Sequence, residues 1–145
     1  MLCARGIAIN RERVLLFNVI GWDWWALPGG RVEMLEKSDE ALKREMQEEI
    51  STNVKVRRLV WVIENTFKPH ETAYHEIGMY YLMDIPDDSI VFGAEEHSCQ
   101  DGPVKVRFRW FPLAEIERLE LRPSFLKKGL LNIPRTTRHI LCSDS

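Results

Sequence analysis

The alternation of hydrophobic and polar positions predicts most of the strands of this chain. Residues 104–110 alternate apolar and basic side chains throughout, which predicts a strand with one buried face and one solvated face. Residues 54–67 and 76–83 are rich in β-branched and aromatic side chains and predict two further strands. Two apolar runs, residues 6–9 and 14–19, are separated by a polar turn and predict a hairpin near the start.

A helical pattern lies between these predicted strands. Leu42, Met46 and Ile50 recur four residues apart and form a narrow apolar stripe suited to packing on a sheet. Ser38 is a suitable N-cap, and acidic residues follow it in the first turn. Since no Pro or Gly interrupts the chain before Ile50, we expect one helix from Ser38 to Ile50.

The order of these elements predicts an α/β protein. Short helices are expected over residues 113–119 and 124–128, the second ending at Gly129. Strands, helix, strands and helix in that order predict a mixed β-sheet lying between helices. No repeat or linker divides the chain, so we expect residues 1–145 to form one domain, with a loose C-terminal tail from about residue 134.

Composition and charge then narrow the possible partners. The 145 residues are 45% hydrophobic and 29% charged, as in an ordinary globular protein. No run approaches the roughly 20 apolar residues that span a bilayer, and a charge follows the N-terminus too soon for a signal peptide. A net charge of −2 supplies no general field for nucleic acid. We therefore expect no membrane or nucleic-acid polymer as partner. Any anionic ligand must be bound by a local site and not by the overall charge of the protein.

The cysteines indicate a reducing compartment. Cys3, Cys99 and Cys142 are odd in number and widely spaced, which favours free thiols and a cytoplasmic location. The chain has no CxxC pair, so a structural zinc site is not expected.

Acidic side chains gather on one face of the predicted helix. At about 100° per residue, Glu45, Glu48 and Glu49 fall within an arc of roughly 100°. Carboxylates at these spacings repel one another, and Arg44 is placed where its guanidinium can hold one of them. Hard oxygen ligands on one rigid face suit Mg²⁺ or Mn²⁺, which would turn this face into a receptor for polyphosphate. Taken alone, the same cluster is also typical of a solvated acidic helix.

The residues before the cluster decide between these interpretations. Gly30, five residues, Glu36, seven residues and then Arg44-Glu45-Met46-Gln47-Glu48-Glu49 resemble the signature of the Nudix hydrolases, G-x5-E-x7-R-E-U-x-E-E-x-G-U, where U is a bulky aliphatic residue. The lead-in at residues 25–29 and the segment at residues 109–113 resemble the family as well.

Three positions depart from the family pattern. Ser51 replaces the Gly that would end the helix in a left-handed conformation, and Thr52 replaces an aliphatic residue. Ser51 is more strained there than Gly, so Asn53 is an alternative position for the turn. Met34 stands where many members have Gly, which predicts a bulkier loop before Glu36.

The resemblance implies an α/β/α sandwich that hydrolyses a nucleoside diphosphate linked to another moiety with Mg²⁺, or Mn²⁺ in its place. By position, it implies that Arg44 orients a glutamate and that Glu36 lies behind the ligands or orders the water. Any of the glutamates can be the general base. The implied metal ligands are Glu45, Glu48, Glu49 and the backbone carbonyl of Gly29 or Gly30, with Glu96 or its neighbour Glu95 as a further carboxylate from a loop.

Substrate contacts are less specific in the sequence. Trp22 and Trp24 can stack on a nucleobase, although packing in the core or in a homodimer explains them as well. Arg109 can contact a phosphate group, although an arginine at this position is also typical of the solvent-exposed face of a strand. The candidate substrate-binding residues are Trp22, Trp24, Phe67, Tyr81 and Arg109.

Three functions remain open from the sequence. The first is a pyrophosphohydrolase acting on a small nucleotide, which the complete glutamate set favours. The second is a catalytically weak module of the same fold that senses a nucleotide. The third is an unrelated protein that uses an acidic helix to bind a partner.

Overall fold

The computed structural model describes residues 1–144, in which nine strands form two sheets. The strands are β1 (Leu2–Ile7), β2 (Ile9–Asn10), β3 (Arg13–Val19), β4 (Gly29–Arg31), β5 (Lys55–Phe67), β6 (Tyr74–Asp84), β7 (Glu96–Asp101), β8 (Val104–Pro112) and β9 (Arg138–Ser143). The helices are α1 (Ser38–Ile50) and α2 (Leu126–Gly129), with 3-10 turns at Ile90–Phe92 and Leu113–Arg118.

One sheet is mixed and the other is antiparallel. The five-stranded sheet has the order β4-β1-β6-β5-β9, with β1 parallel to β6 and β5 parallel to β9. The four-stranded sheet has the order β2-β3-β8-β7 with antiparallel pairs. The predicted α/β class is confirmed. The strands are divided between two sheets instead of forming the single mixed sheet that was expected. This division could not be predicted, because hydrophobic patterning does not determine which strands pair.

Helix α1 lies over side chains from both sheets. Its stripe of Leu42, Met46 and Ile50 is completely buried, which stabilises the fold by roughly 1.5–3 kcal/mol per side chain. This core also contains side chains of β3 and β8, among them Phe17 and Phe108. A second core forms around the 3-10 turn at residues 113–118 and α2; it includes Trp61, Ile116, Leu121, Leu126 and Leu130. None of the helices in residues 1–144 is both long enough and apolar enough to cross a membrane.

Several predicted boundaries need correction. The predicted hairpin is reduced to β2 and β3, since Leu2–Ile7 joins the other sheet. The stretch before residue 104, expected as a loop, contains β7, whose register with β8 could not be foreseen from local sequence. The tail from residue 134 is not loose throughout, because Arg138–Ser143 pairs with β5.

Both ends of α1 differ from the sequence prediction. Ser38 is the first helical residue and not the N-cap; Lys37 occupies the cap position, and the Ser38 hydroxyl lies 2.7 Å from that of Tyr81. At the other end Ser51 itself is left-handed, with φ of 49°, so Asn53 is not needed for the turn. The backbone N–H groups of Ser51 and Thr52 donate to the carbonyls of Gln47 and Met46, which satisfies the end of the helix.

Candidate active site

Arg44 organises the acidic residues of α1 and of the loop before it. Its Nε and Nη2 donate to the two carboxylate oxygens of Glu36 at 2.7 and 3.0 Å, a bidentate pair across eight residues. Its Nη1 lies 2.9 Å from Glu45 and 3.3 Å from Glu48, and Nη2 also donates to the carbonyl of Arg31 at 3.0 Å. One guanidinium therefore orients three carboxylates, one in the loop after β4 and two in the second half of α1.

Glu36 is held on its other side by the backbone. The N–H of Glu33 donates to Glu36 Oε1 at 3.0 Å. The hydrogen bonds from Arg44, followed by the one from Glu33, lower the pKa of Glu36 below its ordinary value. Glu36 is therefore ionised at neutral pH and already has its hydrogen bonds, which suits a residue that positions the site.

Glu49 is the buried member of the cluster. Its side chain is 7% exposed, and its Oε2 has no hydrogen-bond partner. Burial, contact with the Glu45 carboxyl group and the negative charge of Asp101 raise the pKa of Glu49 to about 9. A buried acceptor without a partner is costly, so a cation or donor arriving here would stabilise the site.

The two glycines after Pro28 create the space around Glu45. A Cβ on Gly30 would lie 2.4 Å from the Glu45 carboxyl carbon, so only a glycine lets that side chain rest against β4. Gly29 has φ of 146°, and a Cβ there would lie 2.0 Å from the carbonyl oxygen of Ala4 in β1. The glycine pair thus brings the backbone of β4 directly against both β1 and α1.

The donors of this cluster fit a hard divalent cation by their chemistry. They are carboxylate oxygens, with no thiolate or imidazole among Glu45, Glu48 and Glu49. Across residues 1–144, no three Asp, Glu, His or Cys side chains are grouped as a ready-made metal site. The contacts show why, since Glu45 and Glu48 both turn toward Arg44. The unpartnered Oε2 of Glu49 is the atom that a cation would satisfy.

The carboxylate whose charge acts on Glu49 is that of Asp101, while Glu95 and Glu96 lie beside arginines and stay candidates from the sequence alone. Glu95 pairs with Arg109 at 3.2 Å, and Glu96 lies 3.8 Å from Arg107. In contrast, the charge of Asp101, at the end of β7, acts on Glu49. Strand parity explains the difference: Cys99 packs toward α1, Asp101 is two residues further on the same face, and Glu96 is on the opposite face.

The structure brings three of the five candidate substrate contacts together. Trp24 and Phe67 line one cavity, and Trp22 stacks on Trp24 with ring centroids 3.9 Å apart. Tyr81 lies elsewhere, with its hydroxyl against Ser38 of α1. Arg109 lines a separate cleft, where it is paired with Glu95.

Comparison with known proteins now bears on this geometry. The model of the NUDIX domain family matches residues 3–130 of this chain. This chain belongs to the Nudix family. The predicted family is therefore confirmed, and an unrelated acidic-helix protein is excluded. Nudix hydrolases generally use divalent metal cations, in keeping with the oxygen donors of α1.

Curated relatives of this Nudix chain include diphosphoinositol polyphosphate phosphohydrolase 2. The protein from Rattus norvegicus is 32% identical over 93 residues, which cover 63% of this chain and 51% of the relative. The Homo sapiens protein is 31% identical over the same length and coverage. The chain thus spans about half the length of these relatives.

Solved structures share the fold at low identity. A UDP-X diphosphatase is 21% identical with a TM-score of 0.64, covering 90% of this chain and 59% of its own. An ADP-ribose pyrophosphatase from Streptococcus suis is 16% identical with a TM-score of 0.64, covering 99% and 98%. A MutT protein from Bacillus halodurans is 20% identical with a TM-score of 0.67, covering 95% and 88%. These likenesses confirm the Nudix fold and no more than the fold.

Proposed function

We propose that this protein is a Mg²⁺-dependent pyrophosphohydrolase that cleaves a phosphoric anhydride bond in a nucleoside diphosphate linked to another moiety. The observation that carries the proposal is the buried, unpartnered Oε2 of Glu49 beside Glu45, on a helix whose other acidic residues are oriented by Arg44. A module that only binds nucleotide would have no need of the complete set of carboxylates.

The ligands of the cation are proposed to be Glu45, Glu48 and Glu49, with a backbone carbonyl of Gly29 or Gly30. When bound, Mg²⁺ would neutralise phosphate oxygens and lower the pKa of a water molecule. Mn²⁺ offers the same coordination by oxygen and is expected to substitute.

The chain itself supplies orientation and proton transfer. Arg44 keeps Glu45 and Glu48 within 2.9 and 3.3 Å of its Nη1, so their oxygens stay on one side of the helix. Glu36 balances the charge of Arg44 and fixes the plane of its guanidinium. The raised pKa of Glu49 supports a role for the cluster in holding a proton in the cation-free protein. Because the carboxylates are coupled, the general base is assigned to the cluster as a whole.

A hydrolysis screen tests this proposal. Purified protein with Mg²⁺ is offered nucleoside triphosphates, ADP-ribose, dinucleoside polyphosphates, nucleotide sugars and diphosphoinositol polyphosphates, and the products are separated. We expect cleavage of at least one nucleotide, lost in Glu48→Gln and kept in Glu40→Gln, an exposed position on the first turn of the same helix. Absence of cleavage across the panel, or full activity in Glu48→Gln, would overturn it.

A measurement without turnover separates the enzyme from a sensor. Mg²⁺ should raise the melting temperature of the wild type and of Glu40→Gln, and raise it less in Glu49→Gln. Tight nucleotide binding by calorimetry without any product would favour the sensor module instead.

A further inference from the structure

A cleft of about 720 Å³ lies beside the end of β8, where that strand has lost its neighbour. β7 pairs with β8 only as far as Glu96 opposite Arg109, whereas β8 continues to Pro112. The segment 91–95 and residues of the 3-10 turn at Leu113–Arg118 border the space that results. Its volume falls within the roughly 300–1,000 Å³ of clefts that bind small organic ligands.

The cleft is separate from the acidic face of α1. None of the glutamates proposed to hold a cation lines it. Arg109, which does line it, pairs with Glu96 at the start of β7, whereas Asp101, whose charge acts on Glu49, ends that strand. The extended chain from Glu96 to Asp101 spans about 17 Å. A ligand in the cleft would therefore occupy a second site.

One wall of the cleft is apolar and held in place. Phe92 stacks on Trp110 with ring centroids 5.2 Å apart and ring planes 13° from parallel. The indole N–H of Trp110 donates to the carbonyl of Val91 at 3.0 Å, which fixes the segment 91–95 against the strand. Phe111 and Leu119 extend the apolar lining. Because these side chains are already ordered, a ligand that packs on them costs little further entropy.

Charged side chains of both signs line the same cleft. They are Arg13, Arg109, Arg118, Glu95 and Glu115, and three arginines against two glutamates leave one positive charge. Arg109 is paired with Glu95 at 3.2 Å and lies over the ring of Phe111, 5.1 Å from its centroid. The remaining positive charge therefore belongs to Arg13 and Arg118, which Glu115 opposes only in part.

Arg13 and Arg118 are the charged groups still available to a ligand. Within residues 1–144, neither guanidinium forms an ion pair or a hydrogen bond. Arg13 comes from β3 and Arg118 from the 3-10 turn, so they border the cleft from two different elements. A guanidinium binds a carboxylate through two parallel hydrogen bonds. Both arginines are exposed, so each contributes modestly, and useful affinity also requires contact with the apolar wall.

We infer that this cleft binds a small organic anion, with an apolar or aromatic body against Phe92 and Trp110 and a single negative charge between Arg13 and Arg118. A neutral ligand would leave both guanidiniums without a partner, and a cation would be repelled by them. A polyphosphate would bring several negative charges to a cleft that has one positive charge in excess and two carboxylates of its own. The site is additional to the proposed hydrolase centre and does not depend on it.

Binding of three probes to the full chain tests the inference. Naphthoate, its neutral amide and inorganic tripolyphosphate are titrated by calorimetry in magnesium-free buffer of low ionic strength. Naphthoate should bind about fivefold or more tightly than the amide, because two exposed ion pairs contribute roughly that much, and also more tightly than tripolyphosphate. Added salt should weaken the binding of naphthoate and not that of the amide. Equal affinity for naphthoate and the amide, or tighter binding of tripolyphosphate, would overturn the inference.

Variants of the free arginines assign the preference to the cleft. The double variant Arg13→Gln with Arg118→Gln should lose most of the difference between naphthoate and its amide. Arg135→Gln, which removes an exposed arginine outside the cleft, should keep it. All the replaced side chains are exposed, so thermal unfolding should remain close to that of the wild type. Retention of the full preference in the double variant would contradict the assignment.

A substitution that fills the cleft locates the apolar body of the ligand. Ala94 is an exposed residue that lines the cleft, and Ala94→Phe adds a ring there. We expect this variant to lose binding of naphthoate and of the amide together. Undiminished binding of both probes would mean that they occupy another surface, which would overturn the proposed site.

The glutamate variant separates this inference from the proposed function. Glu48→Gln should abolish hydrolysis and leave the affinity for naphthoate unchanged. Loss of naphthoate binding in Glu48→Gln would place the probe at the acidic helix and overturn the second site. Selective naphthoate binding by a protein that cleaves no nucleotide would overturn the hydrolase alone.

Discussion

Arg44 binds both carboxylate oxygens of Glu36, with Nε 2.7 Å from Oε2 and Nη2 3.0 Å from Oε1. The same guanidinium reaches Glu45 and Glu48, so one side chain joins the loop before α1 to the acidic face of the helix. Only a planar fork with several donors can do this, because an ammonium has no fixed direction.

Arg44→Lys should therefore lower activity although the charge is conserved. Removing a residue that orients metal ligands costs about 10–100-fold in activity or metal affinity, and we expect a loss in this range. Steady-state kinetics with Mg²⁺ titration measures it, with Lys43→Arg as a neighbouring exposed control. Activity equal to that of the wild type would show that the bidentate contact does not position the site.

Gly30→Ala should affect the site more than the fold. The new Cβ would lie 2.4 Å from the carboxyl carbon of Glu45, the end of a flexible side chain that can move aside. We expect a marked loss of activity with a change in unfolding free energy below about 1 kcal/mol, measured by urea denaturation.

Gly29→Ala is the matched contrast to this change. Gly29 adopts φ of 146°, and a Cβ there would lie 2.0 Å from the carbonyl oxygen of Ala4. Because these backbone atoms cannot move aside, the variant should lose more than about 1 kcal/mol of unfolding free energy. Similar stabilities for the two alanine variants would contradict the geometry of β4.

The raised pKa of Glu49 predicts how stability depends on pH in the cation-free protein. Burial shifts this pKa from 4.5 to about 9, so between these values the native state holds a proton that the unfolded chain has lost. Stability should then fall as pH rises through this window. Urea unfolding with chelator from about pH 5 to about pH 9 should show a slope that is flatter in Glu49→Gln and unchanged in Glu40→Gln.

Added Mg²⁺ should reverse much of that loss, since the cation takes the place of the proton. A Glu49→Gln variant with the same pH slope as the wild type would mean that another group titrates.

Ser51→Gly should stabilise the protein. Ser51 is exposed and adopts φ of 49° at the end of α1, a conformation that costs a residue with a Cβ about 1–2 kcal/mol. We expect a gain of up to about 1 kcal/mol after the greater flexibility of glycine in the unfolded chain is counted. Thermal unfolding of Ser51→Gly and Ser51→Ala tests this, and the glycine variant should be the more stable of the two.

The acidic helix could be predicted from the sequence because its determinants are local. The spacing of Arg44, Glu45, Glu48 and Glu49 places them on known faces of a helix, and the stripe through Leu42, Met46 and Ile50 is buried as predicted. The clean alternation of residues 104–110 likewise predicted β8. Periodicity of 3.6 or 2 residues is set by backbone geometry and needs no knowledge of distant partners.

Only the tertiary structure shows which distant strands pair and in which register. The charge of Asp101 acts on Glu49 whereas Glu96 lies beside Arg107, because the register of β7 on β8 sets which side chains share a face. The cavity lined by Trp24 and Phe67 likewise combines Arg5, Asn65 and Glu76 from three neighbouring strands with Asp144, which accepts a hydrogen bond from Asn65. Local sequence determines which face of an element is polar, but strand register depends on the packing of the whole sheet. The sequence by itself therefore determined the family and the acidic helix, while the contacts between residues of distant strands became visible only in the folded chain.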